Sequence, residues 1–207
     1  GRSNGGTINF AATGTTPSLG TTELVTLTGQ AANPFLGAGY FVNGSGYAAI
    51  NASAQVIAAT LTAAPTAATL GATTSTSYLD VTGAITAQTT ATVGALRFNT
   101  TNGLAFADGN TLQVNGLLKS GGNAATIASA GAGTTGSLMP VIGTQELIVR
   151  TDVAADTLTL GDGIGIINNG AAVSLVKSGA GRLELTSPST YTGNTFVNQG
   201  VLWVNHT

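Results

Sequence analysis

Residues 175–204 read LVKSGAGRLELTSPSTYTGNTFVNQGVLWV. The runs RLEL at 182–185 and VLWV at 201–204 are short and apolar-alternating, and a period of two is the mark of a half-buried strand. Leu183 and Leu185 then share one face, and Arg182 and Glu184 face outward. Gly179, Gly181 and Gly200 stand at corners, where glycine tolerates tight or left-handed backbone. Thr, Ser and Asn fill the spaces between. Thirty residues of this kind look like a unit meant to be stacked.

The rest of the 207-residue chain has the same character. Hydrophobic residues make up 43% and aromatics 5%, and only 7% are charged, with a net charge of −2. An ordinary soluble domain carries roughly 25% charged residues, so hydroxyls and amides must keep this surface wet. No basic cluster exists, which argues against nucleic acid as a partner, because that affinity comes from Lys and Arg neutralising phosphates. There is no cysteine, hence no disulfide framework and no thiolate metal site. No apolar run is long enough for a membrane span, and GRSNGG at the start does not read as a signal peptide.

Helix signals are almost missing. The Ala-rich stretch 48–68 is broken by Thr, Asn, Ser and Pro65, and QVIAATL within it reads as a strand. Short β-branched runs separated by Gly, Asn, Asp or Pro recur everywhere else, so the chain is all-β. Asn102-Gly103, Asp108-Gly109, Asn115-Gly116 and Asp162-Gly163 are possible hairpin turns, but the strands around them are short and unequal. Small residues, few aromatics and low charge instead suit a right-handed parallel β-helix (β-solenoid) whose narrow interior is filled by Ala, Val and Leu. Rungs of about twenty residues would give on the order of ten rungs and a rod of roughly 45–50 Å. No linker interrupts the chain, so one domain, 1–207, is expected.

The stretch at 175–205 resembles the autotransporter-associated β-strand repeat of bacterial surface proteins. The positions that carry the likeness are Leu175, Lys177, Gly179, Gly181, Leu183 and Leu185, then Tyr191, Gly193 and Thr195, then Gly200 and Leu202. Residues 95–165 resemble, more loosely, segments that precede this repeat in long secreted proteins, and GGTINF at 5–10 resembles an earlier part of such a block. The resemblance implies an extracellular, surface-attached β-solenoid and no particular activity.

Catalytic and metal-binding constellations are weak. The single histidine, His206, reads as a solvated terminal residue rather than part of a Ser-His-Asp set. Asp152, Asp156 and Asp162, with Arg150 nearby, could mimic the carboxylates of polysaccharide-cleaving β-helices, but each fits a turn. Asp108-Gly109-Asn110 lacks calcium-repeat spacing and also reads as a turn. Lys119 and Lys177 share an L-x-K-S-G context, which suggests an edge position where the long side chain covers the stack and bonds turn carbonyls. No enzyme, cofactor or metal is expected.

The expected role is structural: a module of a bacterial surface fibre, stalk or filament whose partner is itself, head to tail. The alternative is an adhesin that binds glycans through Tyr40, Phe41 and Tyr47, the one local concentration of aromatics, and a polysaccharide-degrading enzyme is a distant third. The candidate assembly surfaces are Gly5, Gly6, Thr7, Ile8, Asn9 and Phe10 at one end and Val201, Leu202, Trp203 and Val204 at the other, with Trp203 facing outward. No segment reads as a cap at either end.

Overall fold

The computed structural model describes residues 3–13, 19–65 and 67–206; Gly1, Arg2 and Thr207, the outermost residues of the expected domain, lie outside them. The described residues are all-β and contain no α-helix. The first four strands, β1 (Ile8–Phe10), β2 (Tyr40–Val42), β3 (Gly46–Ile50) and β4 (Val56–Ala58), form a small sheet in that order. β1 is parallel to β2, whereas β2–β3 and β3–β4 are antiparallel. The turn between β2 and β3 places both Asn43 (φ 50°) and Gly44 (φ 75°) in the left-handed region, as a tight hairpin requires.

Everything that follows is parallel. One long sheet contains β5 (Thr62–Ala63), β6 (Tyr78–Asp80), β8 (Ala91–Phe98), β10 (Asn110–Lys119), β13 (Glu146–Thr151), β16 (Ser174–Ser178) and β18 (Thr195–Val197), stacked in that order. A second sheet stacks β7 (Ile85–Gln88), β9 (Leu104–Phe106), β11 (Ala124–Ser129), β14 (Thr157–Leu160), β17 (Arg182–Leu185) and β19 (Val201–Val204). Two further strands, β12 (Gly136–Met139) and β15 (Ile164–Ile166), continue the first half of β10 upward, while β13 continues its second half. The chain thus shuttles between the sheets and advances one strand at each pass. That arrangement is consistent with a β-solenoid, and no sheet closes on itself.

Apolar side chains from the sheets meet in one continuous column. Leu96, Leu117 and Val149 come from the long sheet, Leu104, Ile127 and Leu183 from the second, and Leu112, Leu138 and Ile166 from the branch. Register keeps the column in line: Leu79, Leu96, Leu117, Val149 and Lys177 stand directly above one another. Alternation breaks once in β10, where Leu112, Val114 and Leu117 are all buried; the strand bends at Asn115-Gly116 and passes from one face to the next. This step is therefore a bend inside a strand, not a hairpin.

The stack is shorter than the sequence suggests. Seven strands in the long sheet span roughly 30 Å at about 4.8 Å each, not ten rungs. Two things account for it. The advance per rung ranges from 17 residues (Tyr78 to Ala95) to 33 (Ala124 to Thr157), and the described residues before β5 do not join the stack. Instead they buttress its side. The outward column Tyr78, Ala95, Gly116, Ile148, Val176 and Phe196 runs from the second strand of the long sheet to its last. Phe35, Phe41 and Tyr47 pack on it.

Candidate functional site

At the end of the stack formed by β18 and β19, no described strand covers the sheets. Val201, Trp203 and Val204 are 52%, 46% and 59% exposed, while Leu202 turns inward onto the column. Trp203 faces outward, as alternation requires, and the Arg182 guanidinium lies 4.7 Å from its ring centroid. Arg182 is also paired with Glu184 at 2.8 Å, so cation, carboxylate and indole form one outer ladder on β17 and β19.

The opposite end is closed. Ala64 and Leu70 are buried against the column, and the Leu70 N–H donates to Oε1 of the buried Gln88 at 2.8 Å. The Gln88 amide in turn donates to the Thr89 carbonyl at 2.7 Å. Residues 64–65 and 67–72 therefore act as a plug, which corrects the expectation that neither end is capped. The plug is assembled from small residues and one leucine, without the helix, charge or proline that usually signals a cap.

The corners of the last rungs explain the glycines. Gly179 (φ 75°) and Gly200 (φ 74°) are left-handed, and a Cβ on Gly200 would lie 2.3 Å from the carbonyls of both Gly179 and Gly181. Gly181 and Gly193 sit equally tightly on the Asp156 and Val173 carbonyls. Tyr191 packs against the column with its hydroxyl 2.7 Å from that of Thr195.

Lys119 and Lys177 do reach corner carbonyls, but from inside. Both are fully buried. Lys177 donates to the carbonyls of Ser178 (2.8 Å), Gly179 (2.8 Å) and Gln199 (3.1 Å). Burial, with the Arg150 charge nearby, pushes its ammonium down to about 8. Lys119 donates to the Ser120 carbonyl and lies 3.4 Å from Asp156; burial lowers its pKa, and Asp156 opposes the shift. The two lysines are not equivalent, since Lys119 is in register with Thr151 and Lys177 with Val149.

The aspartates serve turns and neighbouring rungs. Buried Asp156 accepts from the N–H groups of Gly122 (2.8 Å) and Val153 (3.0 Å). Asp108 accepts from Thr135 N–H at 2.9 Å, and Asp162 from the Thr186 hydroxyl at 3.2 Å. Asp152 holds Arg150 at 2.8 Å while Arg150 donates to the Gly44 carbonyl at 2.9 Å. That arginine, its side chain 5.1 Å over the Phe41 ring, ties the hairpin to the stack.

The candidate residues at the chain's head and in the aromatic cluster lie elsewhere than expected. Phe41 and Tyr47 are 0% and 1% exposed, so they cannot be a glycan platform. They anchor the small sheet, with the Tyr47 hydroxyl donating to the Leu96 carbonyl at 3.2 Å and burial holding its phenol protonated far above its usual range. Gly5, Gly6, Thr7, Ile8, Asn9 and Phe10 run along the flank, not across the end opposite β19. β1 is bonded to β2, Gly5 N–H donates to Glu146, and Asn198 donates to the Gly5 carbonyl at 2.8 Å. Gly5 also lies so close to Phe196 that a Cβ would come within 2.6 Å of its ring. The aromatic anchor draws this segment beside the last rungs.

Tyr40 remains half-buried. With Ile8, Phe10, Leu27 and Leu36 it floors a groove of about 710 Å³, rimmed by Thr26, Thr28, Gln30 and Asn33. Sequence inspection missed it because its walls come from two separate stretches, residues 8–10 and 26–40. Among the described residues no helix is long and apolar enough to cross a membrane.

Residues 175–204 match the family model of the passenger-associated-transport-repeat. No curated protein matches the chain, and no solved structure does. The matched residues cover β16 to β19, with the corner glycines, the inward lysine and the exposed edge. The last two rungs of this chain thus carry the pattern of that repeat, which supports a likeness to autotransporter passenger repeats.

Proposed function

We propose that the chain is one structural domain, 1–207, of a bacterial extracellular surface rod, folded as a right-handed β-solenoid and without enzymatic activity. The observation that carries this reading is the contrast between its ends. One is plugged by Leu70 and Gln88, and the other presents β18 and β19 with unpaired edges and exposed Val201, Trp203 and Val204. An uncovered edge of this kind templates another strand. Growth is then polar: a further rung, from the same polypeptide or a second copy, stacks on β19. Light scattering and electron microscopy of the purified chain test it. Concentration-dependent rods that shorten when Val201 becomes Lys support stacking between copies, and a monomer at high concentration refutes stacking between copies.

A second reading, adhesion, is favoured by the groove at Tyr40.

A further inference from the structure

We infer that the groove floored by Phe10 and Tyr40 is a binding site for a neutral oligosaccharide. Its volume of about 710 Å³ falls within the range of roughly 300–1,000 Å³ typical of small-ligand sites. The floor is apolar and half-buried, and the rim residues Thr26, Thr28, Gln30 and Asn33 are exposed. No lining residue is charged. A ring floor with an uncharged hydroxyl-and-amide rim matches a sugar, which has apolar ring faces and a polar edge.

Much of the backbone lining the groove is already paired, which disfavours a peptide as occupant. A strand-adding peptide needs unused N–H and C=O groups. Around this groove the N–H of Ile8 donates to Gly39, that of Leu27 to Ala54, and that of Leu36 to Ala48; Asn33 exchanges both of its bonds with Ile50. The side chains of Thr26, Thr28 and Gln30, in contrast, make no hydrogen bond to another described residue. Recognition groups are left on side chains, where sugar hydroxyls can reach them. A purely apolar ligand would strip water from that rim without replacing its hydrogen bonds.

The site is separate from the β18–β19 edge, so the two readings fail independently. The test uses the whole chain and neutral cello-, xylo-, manno- and galacto-oligosaccharides of four to six units, followed by saturation-transfer NMR and calorimetry. At least one should bind with a dissociation constant in the micromolar to millimolar range. Gln30→Ala, on the exposed rim, should weaken it by about tenfold, the value of one lost polar contact of roughly 1.4 kcal/mol. Trp203→Ala, at the far β19 edge, should leave binding unchanged. Absence of binding by every sugar at millimolar concentration overturns the inference. So does equal binding of a charged oligosaccharide such as alginate, or affinity unaffected by Gln30→Ala.

Discussion

At the level of single residues, stacking is set by how closely one rung's backbone approaches the next. Gly200 and Gly109 are both left-handed, at φ 74° and 70°, but a Cβ at Gly109 would meet nothing within 4 Å. Gly109→Ala should cost only the backbone strain, about 1–2 kcal/mol. Gly200→Ala must also displace two carbonyls, and urea denaturation should show a loss of roughly 3–5 kcal/mol. Equal losses would mean that corner contacts do not matter. Lys177 adds a pH dependence. Its pKa is about 8 in the folded chain against 10.5 for an ordinary lysine. Below pH 8 both states carry the proton, and the folded state bears the whole cost of burying it. Between pH 8 and 10.5 the unfolded chain binds more protons than the folded one, so stability rises with pH. Denaturation midpoints measured from pH 7 to 10 should climb in the parent chain and climb less in Lys177→Met. Parallel slopes would assign the effect to other groups, Lys119 among them.

At the level of elements, the strands were legible and their partners less so. Alternation in RLEL and VLWV correctly separates Leu183 and Leu185 from Arg182 and Glu184, because a period of two survives in any sheet. The pairing in the first sixty residues was missed, although its signal was present. Asn43-Gly44 is the Asn-Gly step that makes a hairpin, whereas Asn115-Gly116 bends within β10. Identical dipeptides differ because the following residues, GYAAI, can fold back on YFV. The shared L-x-K-S-G context misled for a related reason. Unequal loops shift the register by two positions, so similar words fall on different columns. Plug and groove were illegible because both join distant segments. The plug makes a measurable claim. Gln88→Leu keeps the volume but deprives the buried Leu70 N–H of its acceptor, a cost of about 1–3 kcal/mol. Hydrogen exchange should quicken in residues 64–90 and stay unchanged in β16–β19. Uniform acceleration along the stack would show that the plug does not act locally.

Across the whole molecule, the buttress changes how a stack should unfold. Rungs that touch only their neighbours behave as a one-dimensional array, whose ends can melt before its middle. Here the small sheet crosses that array lengthwise. Phe35 stacks on Tyr78 with ring centroids 3.8 Å apart near one end, and Gly5 packs on Phe196 at the other. Between them, Phe41 and Tyr47 pack in the same cluster as Ala95, Leu118, Ile148 and Val176. Because the buttress touches nearly every rung, a rung cannot leave without breaking contacts that hold the others, and unfolding should be cooperative. The parent chain is expected to show a single urea transition that coincides by tyrosine fluorescence and far-ultraviolet circular dichroism. Ile148→Asp places a carboxylate beneath the buttress at its midpoint while the inward column, formed by Leu147 and Val149, keeps its side chains. The variant should retain β structure, lose protection from proteolysis in residues 21–34, and melt in two or more stages, with tyrosine fluorescence changing first. A single transition at lower urea, with both probes still coincident, would mean that the stack is cooperative without its buttress.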